Sequence, residues 1–491
     1  MRRLCLRAAP LGLAALLLLP AGAFAQALDK PAAAINTTWV IVAAVLVMFM
    51  QAGFAFLEIG FSRGKNAGAG IAKILTNFSI ASLAYWACGF ALAFGGSGLL
   101  WGDSGFFLAG VSSDPAEAAA QFPFLETVAI SPSAFLFFQF VFCAVSLAIV
   151  WGTTLERLKF GAYVIYAVIF SAVIYPVMSH WIFGGGWLQV NFGMQDFAGS
   201  TVVHLIGATG ALAALLLLGP RIGKYGPDGK PRPIPGHSMP LVGLGVLILW
   251  LGWFGFNPGS TLGAIGGRFA EIVVVTNLAA AAGVLVAVAI IYAMQRTIDI
   301  GMAGNGAIAG LVAITAPSGY VEFWAAPLIG GVAGAIVVFG VLAIEKKLDD
   351  PVGALSAHGL AGIWGTLSCG LFTSPEFAEL NAVGQAGLVY GGGFGQLGAQ
   401  ALGVVVAFVC VFVVSFAVFY AIKNTIGLRV SPEQEAAGLD IVEHGMYGYP
   451  EQFIPAPEIG AASTGPAAGV PGLGASPRPA ATTRTEEEVP A

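Results

Sequence analysis

Long apolar segments recur along the chain from Thr38 to about residue 422, and short polar segments separate them. A helix needs about 20 apolar residues to cross the ~30 Å hydrocarbon core of a bilayer. The pattern therefore predicts an all-α membrane protein whose transmembrane domain extends over 38–426. The eleven predicted transmembrane helices lie at about 38–60, 68–96, 131–153, 160–178, 197–219, 239–257, 273–294, 300–316, 324–345, 352–373 and 385–422.

The first 25 residues have a different pattern. Arg2, Arg3 and Arg7 precede the short apolar run 11–20, which ends before Ala23-Phe24-Ala25. A basic start, a short apolar middle and small residues spaced Ala-x-Ala are typical of a cleavable signal peptide. We predict that residues 1–25 are removed and that 26–37 form a periplasmic N-terminus. The alternative is an uncleaved first helix.

Basic residues give the predicted helices an orientation. Cytoplasmic loops of membrane proteins collect Lys and Arg. One set of alternate loops contains only Arg268, plus Lys30 before the first helix. The pattern predicts a multi-pass protein of the inner membrane with a periplasmic N-terminus and a cytoplasmic C-terminus. The other set of loops contains Arg63, Lys65, Arg157, Lys159, Arg221, Lys224, Lys230, Arg232, Arg296, Lys346, Lys347, Lys423 and Arg429.

Two histidines lie inside predicted transmembrane helices and reveal an internal repeat. Asp196 is followed by glycine three positions later and by His204 eight positions later, and Asp350 is followed in the same way by His358. Eight helical residues rise ~12 Å, which places both histidines near the middle of the membrane. Since the two helices enter from opposite faces, we predict a 5+5 inverted repeat, about 38–219 and 239–373, with a site at its axis and one extra helix at 385–422. Two packing histidines are the alternative.

The composition supports a membrane protein and excludes several classes. Charged residues make up 10% of the chain, hydrophobic residues 57%, and the mean hydropathy is +0.84. So few charges exclude a soluble enzyme and a nucleic-acid-binding protein. The five cysteines form no Cys-x-x-Cys pair, so we expect no metal site and no cofactor. Residues 450–491 are rich in Pro, Ala, Gly, Ser and Thr, and we predict a disordered cytoplasmic tail.

Aromatic residues cluster at predicted outer helix ends. Gln139-Phe-Val-Phe142 lies in the third helix, the segment from Trp253 to Ser260 ends the sixth, and the segment from Trp181 to Trp187 precedes Asp196. Aromatic residues at this level are often interface anchors. Beside a hydroxyl group at the outer end of a pore they could instead hold a cation, which gains ~0.5–2 kcal/mol over an aromatic face.

The chain resembles the Amt/MEP/Rh ammonium transporter family from about Thr38 to Tyr449, and five motifs carry this resemblance and point to the Amt branch. They are Asp196-Phe-Ala-Gly-Ser-Thr-Val-Val-His204, His358-Gly-Leu-Ala-Gly-Ile-Trp-Gly365, Trp253 to Ser260, Gly427-Leu-Arg-Val-Ser-Pro-Glu-Gln-Glu435, and Gly438-Leu-Asp440 with Glu443-His-Gly445.

The resemblance implies a homotrimer with one pore in each subunit. Its outer recruitment site would involve Phe142, Phe183 and Ser260, together with Trp253 in the pore lining and Asp196 near the entrance. Two stacked phenylalanines, Phe142 and Phe256, would form a gate, and His204 and His358 would line the pore. Segment 427–449 would form a cytoplasmic regulatory region that meets the PII signalling protein.

Two departures from the family pattern affect these expectations. Phe183 stands where the Amt branch usually has tryptophan, so either recruitment is weaker or Trp181 or Trp187 takes over. Met446 replaces an expected glutamate, and the neighbouring sequence Tyr447-Gly-Tyr449 is also altered; these changes affect the expected regulatory segment and not the expected pore.

The implied substrates are ammonium and methylammonium. A monovalent charge at mid-membrane costs ~2.5–3.5 kcal/mol on insertion scales and ~10 or more in simulations. Deprotonating ammonium at pH 7 costs about 3 kcal/mol, a route that potassium lacks. We therefore hypothesise that NH4+ loses its proton near the gate and crosses as NH3 between His204 and His358. Asp196 would cap its helix, attract the cation, or do both.

Three other functions remain as alternatives. An ammonium sensor would signal through its cytoplasmic tail, although no kinase or cyclase domain is present there. An intramembrane metalloenzyme would use both histidines with Asp196, but metal sites usually have three or four protein ligands. A gas channel, as proposed for the Rh branch, is the third.

Overall fold

The computed structural model describes residues 21–453, with side chains from residue 31 onward. Its eleven longest helical segments match the order of the predicted helices, and the all-α fold is confirmed. The segments are α1 (Ala21–Phe61), α2 (Gly64–Phe94), α3 (Pro132–Thr153), α4 (Phe160–Ile182), α5 (Ser200–Leu218), α6 (Met239–Gly259), α7 (Arg268–Gln295), α8 (Ile300–Thr315), α9 (Ala325–Ile344), α10 (Leu355–Leu360 continued by Ala361–Phe372) and α11 (Gly395–Thr425).

Nine helices of the described residues are long and apolar enough to cross a membrane. The two remaining segments, α8 and α10, are shorter, so the number of eleven crossings stays a prediction.

The starts of two helices follow from local sequence. Ser238 accepts a hydrogen bond from the Leu241 amide before α6, and Asp299 accepts one from the Met302 amide before α8. Such caps satisfy backbone donors that the helix itself leaves free.

Some predicted boundaries were wrong. In the described residues the first helix already includes 21–37, so it is longer than the predicted 38–60; that residues 26–37 form a periplasmic N-terminus stays a prediction. The last helix begins at Gly395 and not near residue 385, because Gly391 and Gly393 adopt positive φ and interrupt the helix before it. Residues 1–20 of the predicted signal peptide and 454–491 of the predicted tail lie outside the described residues.

The internal repeat is visible in helix packing. The first helices of the two halves, α1 and α6, pack backbone to backbone: a Cβ atom on Gly245 would lie 2.5 Å from the Leu57 amide nitrogen. The fifth helices, α5 and α10, run antiparallel. Near the start of α5, Thr201 Oγ1 lies 2.6 Å from Thr366 Oγ1 late in α10, while Arg221 beyond the end of α5 bonds Asp349 before α10.

Short helices connect and extend the long ones. Residues up to Gly448 form one unit, and a second begins at Tyr449 and contains the helix Pro450–Phe453. The other short helices lie at Phe106–Leu108, Pro115–Ala118, Leu125–Val128, Trp187–Phe192, Pro375–Asn381, Leu388–Tyr390, Pro432–Ala437 and Leu439–His444.

Candidate functional site

The structure brings the two histidines of the repeat together. The Nδ1 atoms of His204 and His358 lie 3.2 Å apart, and the rings stack with centroids 5.2 Å apart and an interplanar angle of 21°. Both side chains are buried. A hydrogen bond between two Nδ1 atoms needs one donor and one acceptor, so the pair shares one proton at this contact.

Each histidine lies in a π-helical turn, Ser200–Leu205 in α5 and Leu355–Leu360 in α10. In the first turn, the His204 amide donates to the Gly199 carbonyl five residues earlier. A π turn holds one more residue than an α turn and commonly marks a functional position. The two turns direct both rings to the point where α5 and α10 cross.

An aspartate organises the start of each of these turns. The two carboxylate oxygens of Asp196 accept hydrogen bonds from four backbone amides at 2.7–3.1 Å, which belong to residues 199–202. Asp350 accepts bonds from the amides of Val352, Gly353 and Leu355 at 2.8–3.3 Å. Both acids therefore cap the histidine-bearing segments. Asp196 also lines an open cavity, whereas Asp350 lies at the opposite end of the pair.

This cavity, which we call the vestibule, has a volume of about 160 Å³. Four predicted residues line it: Phe142, Phe183, Asp196 and Ser260. The Ser260 hydroxyl donates to the Phe256 carbonyl at 2.9 Å, which leaves its oxygen free to accept a bond from a cation in the vestibule. Lining residues that the sequence analysis did not select include Phe94, Phe124, Phe135, Phe138, Tyr320 and Asn381.

The outer loop contributes Phe183 to the vestibule, and neither neighbouring tryptophan lines it. The Trp181 indole donates to the Leu100 carbonyl at 2.7 Å, and its ring packs edge to face against Trp187 with centroids 5.6 Å apart. In this structure both indoles pack within the outer loop region.

A column of aromatic rings separates the vestibule from the histidines. The rings of Phe142 and Phe256 stack with centroids 3.9 Å apart and an interplanar angle of 25°. Phe256 continues to His204 at 5.6 Å, and Trp253 stacks on His204 at 5.3 Å. Trp253 thus lies below the phenylalanine pair and outside the vestibule, where its indole donates to Thr315 at 2.9 Å. The stacked pair therefore lies between the vestibule, which Phe142 lines, and His204, which Phe256 contacts.

Beyond the histidines lies a second, smaller cavity of about 20 Å³, which we call the inner cavity. His358 and Glu58 both line it. The sequence analysis missed Glu58 because it read 38–60 as an apolar run. An ionisable residue inside such a run is itself a signal of function, since it is expensive to bury in a membrane.

The segment that follows α11 packs against the end of the bundle that carries Asp350. Leu428 accepts a bond from the Lys159 amide at 2.8 Å, and Arg429 pairs with Glu435 at 2.7 Å. Asp440 accepts bonds from the amides of Gly68 and Ala69 at 3.0 and 2.8 Å. The predicted regulatory segment is therefore bound to the start of α2 and to the residue before α4.

Buried charges stabilise the same end. Arg221 makes two hydrogen bonds to the carboxylate of Asp349 at 2.9 Å, and Arg157 lies 3.9 Å from it. Burial alone would raise the pKa of Asp349, but the bonds from Arg221 and the charges of both arginines outweigh burial and lower it to about 2. Burial lowers the pKa of Arg157 to about 10, so it stays charged at neutral pH.

No group of three or more His, Cys, Asp or Glu side chains within the described part of the chain is arranged to hold a metal ion. The histidine pair has no third ligand of this kind there.

Comparison with known proteins identifies the family. Residues 38–449 match the sequence model of the Ammonium Transporter Family, and all five motifs lie within this range. The chain belongs to this family. It is similar to ammonium transporter Amt2 of Archaeoglobus fulgidus, with 44% identity over 438 residues that cover 86% of this chain and 90% of that protein. It is also similar to an ammonium transporter of Bacillus subtilis, with 32% identity over 421 residues that cover 85% and 99%.

Solved structures of ammonium-transporter relatives share the fold. A structure described as a sensor Amt protein matches with a TM-score of 0.77 and 37% identity, covering 85% of this chain and all of that one. Candida albicans Mep2 matches with a TM-score of 0.73 and 28% identity, covering 81% and 87%. The resemblance inferred from the motifs is therefore confirmed, and the protein is a multi-pass membrane member of the ammonium transporter family.

Proposed function

We propose that this protein transports ammonium by binding NH4+ in the vestibule, removing its proton and conducting NH3 past the histidine pair. The observation that carries the proposal is the continuous series of the vestibule, the stacked Phe142 and Phe256 rings, and the bonded imidazoles of His204 and His358. No enzymatic reaction and no cofactor are part of the proposal.

Recruitment of ammonium would depend on the aromatic and polar groups of the vestibule. The faces of Phe142 and Phe183 attract a cation, by ~0.5–1 kcal/mol at exposed sites and about 2 when desolvated. The Ser260 oxygen and the Gln139 side chain, which also lines the vestibule, can accept hydrogen bonds from N–H groups. Gln139 Oε1 is buried and lacks a partner within the described residues, so it is available to a ligand.

Passage through the column would require a neutral molecule. The stacked phenylalanines and the buried Trp253 offer no charge to compensate a cation, which costs ~2.5–3.5 kcal/mol or more at this depth. Ammonium avoids this cost by losing a proton, at about 3 kcal/mol, and potassium cannot. The pathway therefore selects ammonium by its acidity rather than by size.

The histidine pair would receive ammonia in the middle of the membrane. Since one proton occupies the contact between the Nδ1 atoms, the Nε2 atoms remain available. His204 Nε2 is buried without a hydrogen-bond partner in the described structure. A neutral imidazole nitrogen can donate to or accept from NH3, or pass a proton on. Whether the proton crosses by this route determines whether transport moves charge.

The setting of the transporter follows from the sequence and is part of the proposal. The chain would lie in the inner membrane as a homotrimer, with a periplasmic N-terminus after removal of residues 1–25 and a cytoplasmic C-terminus. The segment 427–449 would be the contact for the PII signalling protein, and 450–491 a cytoplasmic tail. The contacts of Arg429 with the Leu218 carbonyl and of Asp440 with the Gly68 amide support a regulatory role for this segment, since they link it to the bundle.

Uptake of radiolabelled methylammonium into proteoliposomes tests the proposal without assuming that charge moves. We expect wild-type protein to take up methylammonium and to exclude potassium. The double variant His204→Leu/His358→Leu should lose uptake or its selectivity over potassium, while His237→Gln, outside the pathway, should not. Unchanged flux and selectivity in the double variant would contradict the role of the histidines.

A sensor is the second candidate, because one matching structure is described as a sensor Amt protein. A sensor without transport would bind ammonium but give no uptake above protein-free vesicles. Uptake by the purified protein therefore separates the two functions.

A further inference from the structure

Glu58 differs from the other buried glutamates of the protein. Within the residues with described side chains, three glutamates are buried: Glu58, Glu156 and Glu435. Glu156 pairs with Arg63, and Glu435 pairs with Arg429. Glu58 has no arginine partner in this part of the chain, and its Oε2 atom is buried without a hydrogen-bond partner. A buried carboxyl group without a partner calls for an explanation, because such groups are costly.

This side chain lines the inner cavity together with His358. A volume of about 20 Å³ is enough for one molecule the size of water, since a water needs about 10–15 Å³. Ammonia and ammonium are close to water in size. Gly152 leaves this space open, because a Cβ atom there would lie 2.9 Å from Glu58 Oε1. The rest of the wall is mainly apolar and includes Leu57 and Ile149.

The charged and titratable groups around Glu58 do not neutralise it. Lys73 on α2 is the neighbouring cation, but its ammonium group donates to the Leu158 carbonyl at 3.0 Å and lies 3.6 Å from the Trp151 ring centroid. Lys73 also lies 4.0 Å from a Glu443 carboxylate oxygen. Two further groups face this region. Tyr163 on α4 donates its hydroxyl to Asn77 at 2.6 Å, and His358 on α10 bonds His204.

Whether Glu58 favours its neutral or its charged form depends on whether the inner cavity is empty or occupied. A carboxylate alone in a small apolar cavity loses its hydration without compensation, so the neutral acid is favoured there. A monovalent cation in the same cavity reverses this preference, because a charge-assisted hydrogen bond is about twice as strong as a neutral one. The cavity therefore favours a proton when empty and a small N–H cation when occupied.

We propose that Glu58 is the proton donor and the ammonium-binding group on the far side of the histidine pair from the vestibule. The inference rests on the proposed transport function and adds a residue and an exit site to it. Ammonia leaving His358 forms a new N–H bond with the carboxyl proton while the Glu58 O–H bond breaks. The products, NH4+ and the Glu58 carboxylate, stabilise each other. When NH4+ leaves to the cytoplasmic water, Glu58 takes a proton from that water.

Variants of Glu58 test its role in proteoliposome uptake of methylammonium. Glu58→Gln keeps the size of the side chain but cannot donate an acidic proton or carry charge. We expect the maximal rate to fall by about tenfold or more, with the half-saturating concentration changed by less than about twofold because the vestibule is intact. Glu58→Asp keeps the acid and should recover part of the rate. Glu345→Gln, which removes an acid at the same end of the bundle but outside the cavity, serves as the matched control.

The outcomes separate the two proposals. If the wild type gives no uptake, the transport function itself is wrong. If the wild type transports and Glu58→Gln transports at a similar maximal rate, the function stands and the role of Glu58 is overturned. A rate loss in Glu58→Gln that Glu58→Asp does not relieve also contradicts a role of the acid, provided that both variants elute and unfold like the wild type.

Infrared difference spectroscopy of the wild type covers the case in which the variants do not fold. Protein with glutamate isotope-labelled at the side-chain carboxyl carbon is exposed to ammonium and then to potassium. Glu156 and Glu435 are paired with arginines, and Glu443 accepts a bond from the Phe160 amide and lies beside Lys73. A protonated and buried glutamate band is therefore assigned to Glu58. We expect this band to decrease with ammonium and to stay unchanged with potassium. A band that is absent, or unaffected by ammonium, would overturn the proposal.

Discussion

Arg221 and Asp349 form a buried pair in which two guanidinium nitrogens bond the two carboxylate oxygens at 2.9 Å. The pair joins the end of α5 to the segment immediately before α10. The same arginine also lies 3.4 Å from Glu156, which bonds Arg63 in the loop after α1. The two histidine-bearing helices are thus fixed to each other at one end by charges as well as by packing.

Removing the carboxylate should therefore destabilise the protein strongly. In Asp349→Asn, Arg221 and Arg157 would keep buried positive charges without compensation, which costs about 3–5 kcal/mol for a broken buried pair. We expect a clear decrease of the unfolding temperature in detergent. Asp228→Asn, in an exposed pair with Lys230, is the control and should unfold like the wild type.

The same pair predicts a dependence of stability on pH. The folded-state pKa of Asp349 is lowered to about 2 from an ordinary value of 3.8, so its contribution is present above pH ~4 and is lost as the pH falls towards 2. The shift corresponds to roughly 2 kcal/mol. Unfolding measured between pH 5 and about 2 should show this loss in the wild type. A similar loss in Asp349→Asn would assign it to other groups.

The aromatic pair should control both access and selectivity. Phe256→Ala removes a ring that contacts Phe142 and His204, and such truncations cost on the order of 3–5 kcal/mol. We expect a lower unfolding temperature together with potassium entry that the wild type excludes. Phe408→Ala on α11, which removes an exposed ring of similar size, should leave both selectivity and uptake unchanged. Tight exclusion of potassium by Phe256→Ala would contradict a role of this ring in selection.

The affinity of the vestibule for a cation should depend on the aromatic residue that the outer loop places there. Phe183→Trp places the larger indole face along the cavity, and an additional 0.5–1 kcal/mol of cation attraction corresponds to about a two- to fivefold lower half-saturating concentration. Uptake measured over a range of methylammonium concentrations checks this. Trp181→Phe, outside the cavity, should leave the half-saturating concentration as it is. An equal response of both variants would argue against Phe183 as the recruiting residue.

The symmetry of the repeat offers a way to separate capping from cation attraction. Asp196→Asn and Asp350→Asn each replace an oxygen that accepts backbone amides by an amide nitrogen, which leaves buried donors unsatisfied at ~1–3 kcal/mol. Both variants should lose stability. Only Asp196→Asn should also lose affinity for ammonium, because Asp196 alone of the two lines the vestibule. If both variants keep the wild-type half-saturating concentration, Asp196 acts as a cap only.

The sequence predicted those parts of the site that a repeated motif encodes. The equal spacing from Asp196 to His204 and from Asp350 to His358 was sufficient to place both rings at one depth, because helix rise is constant. It could not specify the 3.2 Å contact between Nδ1 atoms, which depends on two π turns and on the crossing of α5 and α10. Hydrophobicity gave the order of the helices, while glycine conformations near residue 391 set a boundary that hydrophobicity does not encode.

Local sequence patterns do not specify where two residues of the site are placed. Glu58 stands two residues before the end of the mostly apolar run 38–60, and only the packing of α1 against the other helices shows that it meets the cavity beside His358. The positions of Phe183 and Trp181 differ by two residues, and the fold of the outer loop decides which ring reaches the vestibule. Both depend on contacts between segments distant in sequence.

The antiparallel arrangement of α5 and α10 has a consequence for the direction in which a molecule can cross the membrane. A molecule that approaches the crossing point from either side meets an imidazole held by a π turn behind an aspartate-capped segment, so the centre itself does not distinguish import from export. Under the transport proposal, the sign of net movement is then decided by concentrations and proton activity in the two compartments. The two ends of the pathway differ from each other. Phenyl rings and a hydroxyl group line the vestibule, whereas the inner cavity has a single carboxyl group.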